Sequence, residues 1–149
     1  MEINFSYKTK IEIAIHQLEK AIDLFILEND LICATTLAGA AEEIFGKIIE
    51  SKKEKSSLGE YISDCIDTLK TAGHIEIKEK IFADERNALR NELKHLCGGN
   101  DVLIINTEAK DMIDRAIMNM MKLNIQPTEK VRCFIENFWI RNLFIFYRR

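Results

Sequence analysis

The chain has 149 residues, of which 47% are hydrophobic and 30% charged, with a formal net charge of −3. This composition excludes a disordered chain, and the length suffices to bury a core without disulfide or metal staples. The negative balance excludes a global attraction to nucleic acid, so any RNA contact has to come from a local basic patch.

Only one proline, Pro127, and six glycines occur. So few breakers predict long helices rather than a strand-and-turn fold. The N-terminal MEINFSYKTK has no apolar signal core. The longest apolar stretch, near the C-terminus, is interrupted by Arg141 and is too short to span a bilayer. The expectation is a cytoplasmic, all-α protein with no membrane contact. Cys33, Cys65, Cys97 and Cys133 lie far apart and form no C-x-x-C pair. They read as reduced, semi-buried small hydrophobes, with no metal site and no cofactor expected.

In chain order, Ile11, Ile15, Leu18, Ile22 and Phe25 step by four and three, which is one buried stripe of a first helix. LEND, residues 27–30, interrupts it, and Asn29 or Asp30 caps the next helix. That helix, LICATTLAGAAEEIFGKIIE, has a seam of Leu31, Ala34, Ala38, Ala41, Phe45 and Ile48. The alanines and Gly39 let a neighbour approach closely, so this helix is expected to be central and antiparallel to the first. SKKEKSS, residues 51–57, is a polar loop, and its lysines either touch RNA backbone or are simply solvated. Ser57 with Glu60 predicts a capping box for a third helix running to about Lys70 and stopping at Gly73.

A fourth helix is expected from about Glu76 to Leu96, ended by Gly98-Gly99. DVLIIN, residues 101–106, is either an extended connector or a short strand. A fifth helix follows Asn106-Thr107 with Ile113, Ala116, Met120 and Leu123 as its buried stripe. After Pro127, residues 128–149 hold Phe134, Phe138, Trp139, Phe144, Phe146 and Tyr147. This is either a last helix docking onto the core or a dimerisation tail. The architecture expected is an antiparallel helical bundle of four to six helices in a single domain.

The fourth helix carries the residues with chemical potential, RNELKH at 90–95. With Arg90 at zero on a helical wheel, Lys94 falls at about 40°, Asn91 at about 100° and His95 at about 140°. They share a polar surface, with Leu89, Leu93 and Leu96 opposite. That is also the pattern of an ordinary surface helix whose last turn is basic to suit the helix dipole. The chemical reading is metal-independent RNA cleavage. Histidine titrates near neutrality and can take the proton of a ribose 2′-hydroxyl. Arginine can stabilise charge developing on the phosphate. Asn91 would orient His95 or bind a phosphate oxygen. One such helix is an incomplete site, which two copies across a twofold axis would complete.

RNELKH resembles the R-x(4–6)-H motif of the HEPN superfamily, with Arg90, Asn91 and His95 at the motif's arginine, polar and histidine positions. LAGAAEEIFGKIIE and ADERNALRNELKH are similar to the second helix and motif helix of uncharacterised bacterial and phage HEPN-like proteins, over about residues 10–123. The resemblance implies a helical bundle that dimerises around a shared cleft. It also implies a metal-independent endoribonuclease, of toxin or defence type, that can pair with a nucleotidyltransferase antitoxin. It equally covers inactive relatives that serve as interaction modules. In the active reading Arg90, Asn91 and His95 are catalytic and Arg86 and Lys94 bind RNA. Glu42 or Glu43 then pairs with Arg90 or His95; otherwise the two are half-exposed salt-bridge partners. His16 and His74 read as surface residues.

Overall fold

The computed structural model describes residues 6–74, 78–95 and 101–140. Among the described residues the chain is an all-helical bundle without strands. The helices are α1 (Lys10–Asp23), α2 (Leu31–Ser51), α3 (Ser57–Thr71), α4 (Glu79–Arg86), α5 (Ala88–Lys94), α6 (Asn106–Lys122) and α7 (Glu129–Ile135). Two π-helical turns, Leu24–Glu28 and Glu136–Ile140, extend α1 and α7. Among the described residues the seven α-helices stand slightly above the expected four to six, partly because the expected fourth helix divides at Asn87 into α4 and α5.

Thr9 starts α1 with a capping box: its Oγ1 accepts from Glu12 N–H and the Glu12 carboxylate accepts from Thr9 N–H. Asn29, left-handed at φ 51°, ends the first π-helical turn, and Asp30 caps α2 by accepting from Cys33 N–H at 3.0 Å. The two helices joined by this short link pack against each other as an antiparallel pair, and α2 also packs extensively against α6. The seam of α2 is Ala34, Ala38, Ala41, Phe45 and Ile49, all buried. Ile49 rather than Ile48 closes it, and Leu31 is only half-buried.

From α1, Ala14, Leu18, Ala21 and Ile22 face this seam. From α6 come Met112, Ile113, Ala116, Ile117 and Met120, with Leu123 at the edge. Val131 and Phe134 of α7 enter the same cluster. Phe134 stacks on Phe138 with ring centroids 4.7 Å apart, and both meet Phe25 edge-on. Trp139 donates from Nε1 to Asp114 Oδ1 at 2.7 Å. The segment from Glu129 to Ile140 therefore docks onto the core through Val131, Phe134, Phe138 and Trp139; Phe144, Phe146 and Tyr147 lie outside the described residues.

Two expectations about local chemistry are corrected. The cap of α3 is Ser56, whose Oγ accepts from Gly59 N–H, while Ser57 is turned inward toward α6. Cys33 and Cys133 are exposed rather than semi-buried, and Cys65 is intermediate; Cys97 lies outside the described residues. Residues 101–105 form no strand and lead as a connector into α6. Gly73, at φ 90°, follows α3 as expected. His16 and His74 are exposed. No helix among the described residues is long and apolar enough to cross a membrane.

The caps give the fold a pH dependence. The Thr9 backbone N–H holds the Glu12 carboxyl below its ordinary 4.5, and the Cys33 N–H holds Asp30 below its ordinary 3.8. A carboxyl depressed in the folded state adds stability above its unfolded value and loses it as pH falls through the folded one. Urea midpoints should therefore be level well above pH 4.5 and decline below it. A midpoint that rises on acidification would contradict this assignment.

Candidate functional site

Arg90 lies where α5 crosses α2. Gly39 makes the approach possible: a Cβ there would sit 2.7 Å from Arg90 Cδ. The guanidinium reaches two neighbouring carboxylates of α2, with Nη1 3.5 Å from Glu42 Oε2 and Nη2 2.9 Å from Glu43 Oε2. The two acids differ sharply in setting, since the Glu42 side chain is 6% exposed and that of Glu43 is 40% exposed.

The other oxygen of Glu42 pairs with Arg115 Nη2 of α6 at 3.1 Å. Arg115 in turn donates to the Arg86 carbonyl at 2.9 Å and to Asn87 Oδ1 at 3.0 Å. A side chain inserted beside a helical carbonyl ladder is a recognised cause of kinks, and it accounts for the division of the predicted helix at Asn87. Asn119, one turn beyond Arg115, accepts from Ser57 N–H at 2.7 Å and donates to the Glu42 carbonyl at 3.3 Å. One polar network thus ties α2, the start of α3, the α4–α5 kink and α6 through buried groups. Buried charges are tolerable only when paired in this way.

On the other side of α5, Arg86 pairs with Asp111 at 2.6 Å and stacks over the Tyr61 ring at 4.5 Å. Arg86 and Arg90 both line a cleft of about 340 Å³ with Leu89, Thr107 and Asp111. Glu43 also pairs with Lys47 at 3.3 Å. Partial burial opposes its ionisation, but the Lys47 hydrogen bond and the charges of Arg90, Lys47 and Lys94 outweigh that and hold its carboxyl below the ordinary 4.5.

Of the residues singled out in the sequence, Arg90, Glu42 and Glu43 come together. Both carboxylates reach Arg90, and neither bonds His95. Arg86 joins through its carbonyl. Asn91, Lys94 and His95 stand outside the network. His95 is the residue after α5, exposed, with extended backbone at φ −131° and ψ 146°; its N–H donates to Asn91 O at 2.9 Å. The wheel angle for His95 assumed a helix continuing to Leu96, and that assumption does not hold. Arg115 and Asn119 were not anticipated. Their signal was a polar pair four residues apart on the border of the Met112–Ala116 stripe. Among the described residues no group of three or more His, Cys, Asp or Glu side chains is placed to hold a metal ion.

The Gly39 contact yields a prediction. The neighbouring atom is in the stem of an arginine clamped at its far end, so Gly39→Ala cannot be relieved by a simple side-chain swing. Overpacking of this kind costs about 1–3 kcal/mol. Thermal unfolding should show that loss with helicity retained; unchanged stability would mean that Arg90 is not seated against α2.

No family model matches the chain, no curated protein is significantly similar to it, and no solved structure is significantly similar to its fold.

Proposed function

We propose that the chain is a HEPN-type, metal-independent endoribonuclease, acting as a dimer in which two copies of α5 border one cleft. The observation that carries the reading is the anchoring of Arg90 by Glu42 and Glu43, five residues before His95 at the exposed end of the same helix. An anchored arginine is pre-oriented, which is what stabilisation of a developing charge requires.

In the proposed reaction His95 removes the proton of a ribose 2′-hydroxyl. The 2′-oxygen attacks the adjacent phosphorus, the bond to the 5′-oxygen breaks, and a proton is returned to that leaving oxygen. The products are a 2′,3′-cyclic phosphate and a 5′-hydroxyl. Arg90 stabilises the non-bridging oxygens and Asn91 orients the imidazole or the phosphate. Lys94 and Arg86 guide the backbone of a single-stranded or looped RNA, whose freedom permits in-line attack. A toxin of this kind calls for an inhibitory partner, for which a nucleotidyltransferase-type antitoxin is the candidate. The test is incubation with single-stranded RNA in excess chelator. Fragments ending in 2′,3′-cyclic phosphate are expected, and intact RNA would reject the reading.

A second reading, a non-catalytic helical interaction module, is favoured by the position of His95, which stands beyond the end of α5 with extended backbone and so is not on one helical face with Arg90. It predicts self-association or partner binding with no cleavage in the same assay.

A further inference from the structure

Along α2, between the start of α1 and the end of α5, runs a trough of about 520 Å³, within the about 300–1,000 Å³ typical of small-molecule sites. Its floor is one stripe of α2, Ala40, Ile44 and Ile48, at four-residue steps that share a helix face. From Ala40 to Ile48, at about 1.5 Å per residue, the floor is about 12 Å long, the length of an extended chain of about ten carbons. Among the described residues no aromatic side chain lines it, so a flat ring finds nothing to stack on. Its lining is also far smaller than the roughly 20–30 residues a side of a standard protein interface. The apolar group that fits it is a flexible aliphatic chain.

Charge decides what the other end of the ligand must be. Lys10 of α1, Lys47 of α2 and Lys94 of α5 line the trough, against the single acid Glu43 among the described residues. Lys47 pairs with Glu43 at 3.3 Å, and the charge of Lys94 acts on the same carboxylate. Lys10 is exposed and forms no salt bridge among the described residues. Three cations facing one acid disfavour a cationic ligand, and Lys10 is the ammonium group left to receive an anion. Because α1 and α2 are antiparallel, the start of α1 lies against the second half of α2, which puts Lys10 toward the isoleucine end of the floor.

We infer that this trough binds a free straight-chain carboxylic acid of about ten carbons, its carboxylate on Lys10 and its chain along Ile48, Ile44 and Ala40. The methylenes of Lys94 extend the apolar surface, as the stems of long cationic side chains do.

Calorimetric titration of the full-length protein at neutral pH, below micelle-forming concentrations, tests this with decanoate, hexanoate, decan-1-ol and decylammonium. Decanoate is expected to bind once per chain, and at least about tenfold more tightly than hexanoate, because affinity grows with each methylene removed from water. Decan-1-ol lacks the charge and should bind about tenfold more weakly than decanoate, and decylammonium should not bind measurably. Lys10→Met keeps the stem and removes the ammonium group at an exposed position, where folding is little affected, and should weaken decanoate about tenfold. Ile48→Ala should weaken it about threefold or more. Lys52→Met, an exposed lysine outside the trough, should leave affinity unchanged.

The inference is overturned if decanoate does not bind, if several molecules bind per chain, or if the alcohol or the ammonium binds equally well. It is overturned too if Lys10→Met leaves the affinity unchanged. Sedimentation with anionic phospholipid vesicles without binding of free decanoate would make the trough a membrane contact instead. Self-association that Ile48→Glu abolishes, again without decanoate binding, would assign it to a second copy. None of these readouts involves RNA, so they stand or fall apart from the ribonuclease reading.

Discussion

Glu42→Ala should destabilise the fold by about 3–5 kcal/mol, the usual cost of removing one partner from a buried ion pair. The carboxylate is 6% exposed and is shared between Arg90, 15% exposed, and Arg115, 5% exposed. Without it two guanidinium groups remain in the interior, and Arg115 also holds the kink at Asn87. Such a loss is a large part of a typical total stability of about 5–15 kcal/mol. The neighbouring Glu43→Ala is the control. It removes a partner of the same Arg90 from a position 40% exposed, where an ion pair is worth about 0–1 kcal/mol. Urea unfolding at neutral pH separates the two. Equal losses would contradict a buried network centred on Glu42.

Phe134→Ala is expected to cost about 3–5 kcal/mol as well, by leaving a cavity in the core. The ring is fully buried, stacks on Phe138 and meets Phe25 from the π-helical turn after α1. The substitution therefore tests whether the segment from Glu129 to Ile140 is integral to the bundle. The loss should appear in the same cooperative transition as Glu42→Ala. A loss below about 1 kcal/mol, within the range of surface changes, would mean that the segment docks loosely.

The helices themselves were legible because apolar residues at three- and four-residue steps report a buried face directly. Hence Leu18 and Ile22 of α1, the Ala34–Ala38–Ala41–Phe45 seam of α2 and the Ile113–Ala116–Met120 stripe are buried where the periodicity puts them, whereas Ile11 is exposed and the core of α1 is completed by Ala14 and Ala21. The break of the expected fourth helix at Asn87 was not legible. Nothing local in NALRNELKH announces that Arg115, from another helix, draws the Arg86 carbonyl aside. Capping residues were only partly readable, because Ser56 and Ser57 are chemically identical and the buried Asn119 decides which of them turns inward. The pairing of Arg90 with Glu42 and Glu43 was foreseeable as a charge match, whereas the difference in burial between adjacent acids is set by packing against α6. Gly39 is the site of close approach that its place in the small-residue seam predicts, and the group that approaches is the stem of Arg90 on α5.

The proposed ribonuclease activity resides at the exposed end of α5, with Arg90 held in place behind it. Its most direct test compares the parent and His95→Ala proteins on one single-stranded RNA in chelator, with unfolding measured alongside. Loss of a general base costs about 10²–10⁴-fold in rate, and an exposed side chain beyond the helix end should cost no stability. A fall in rate of that size at unchanged stability is the predicted result; equal cutting by the two proteins would contradict it.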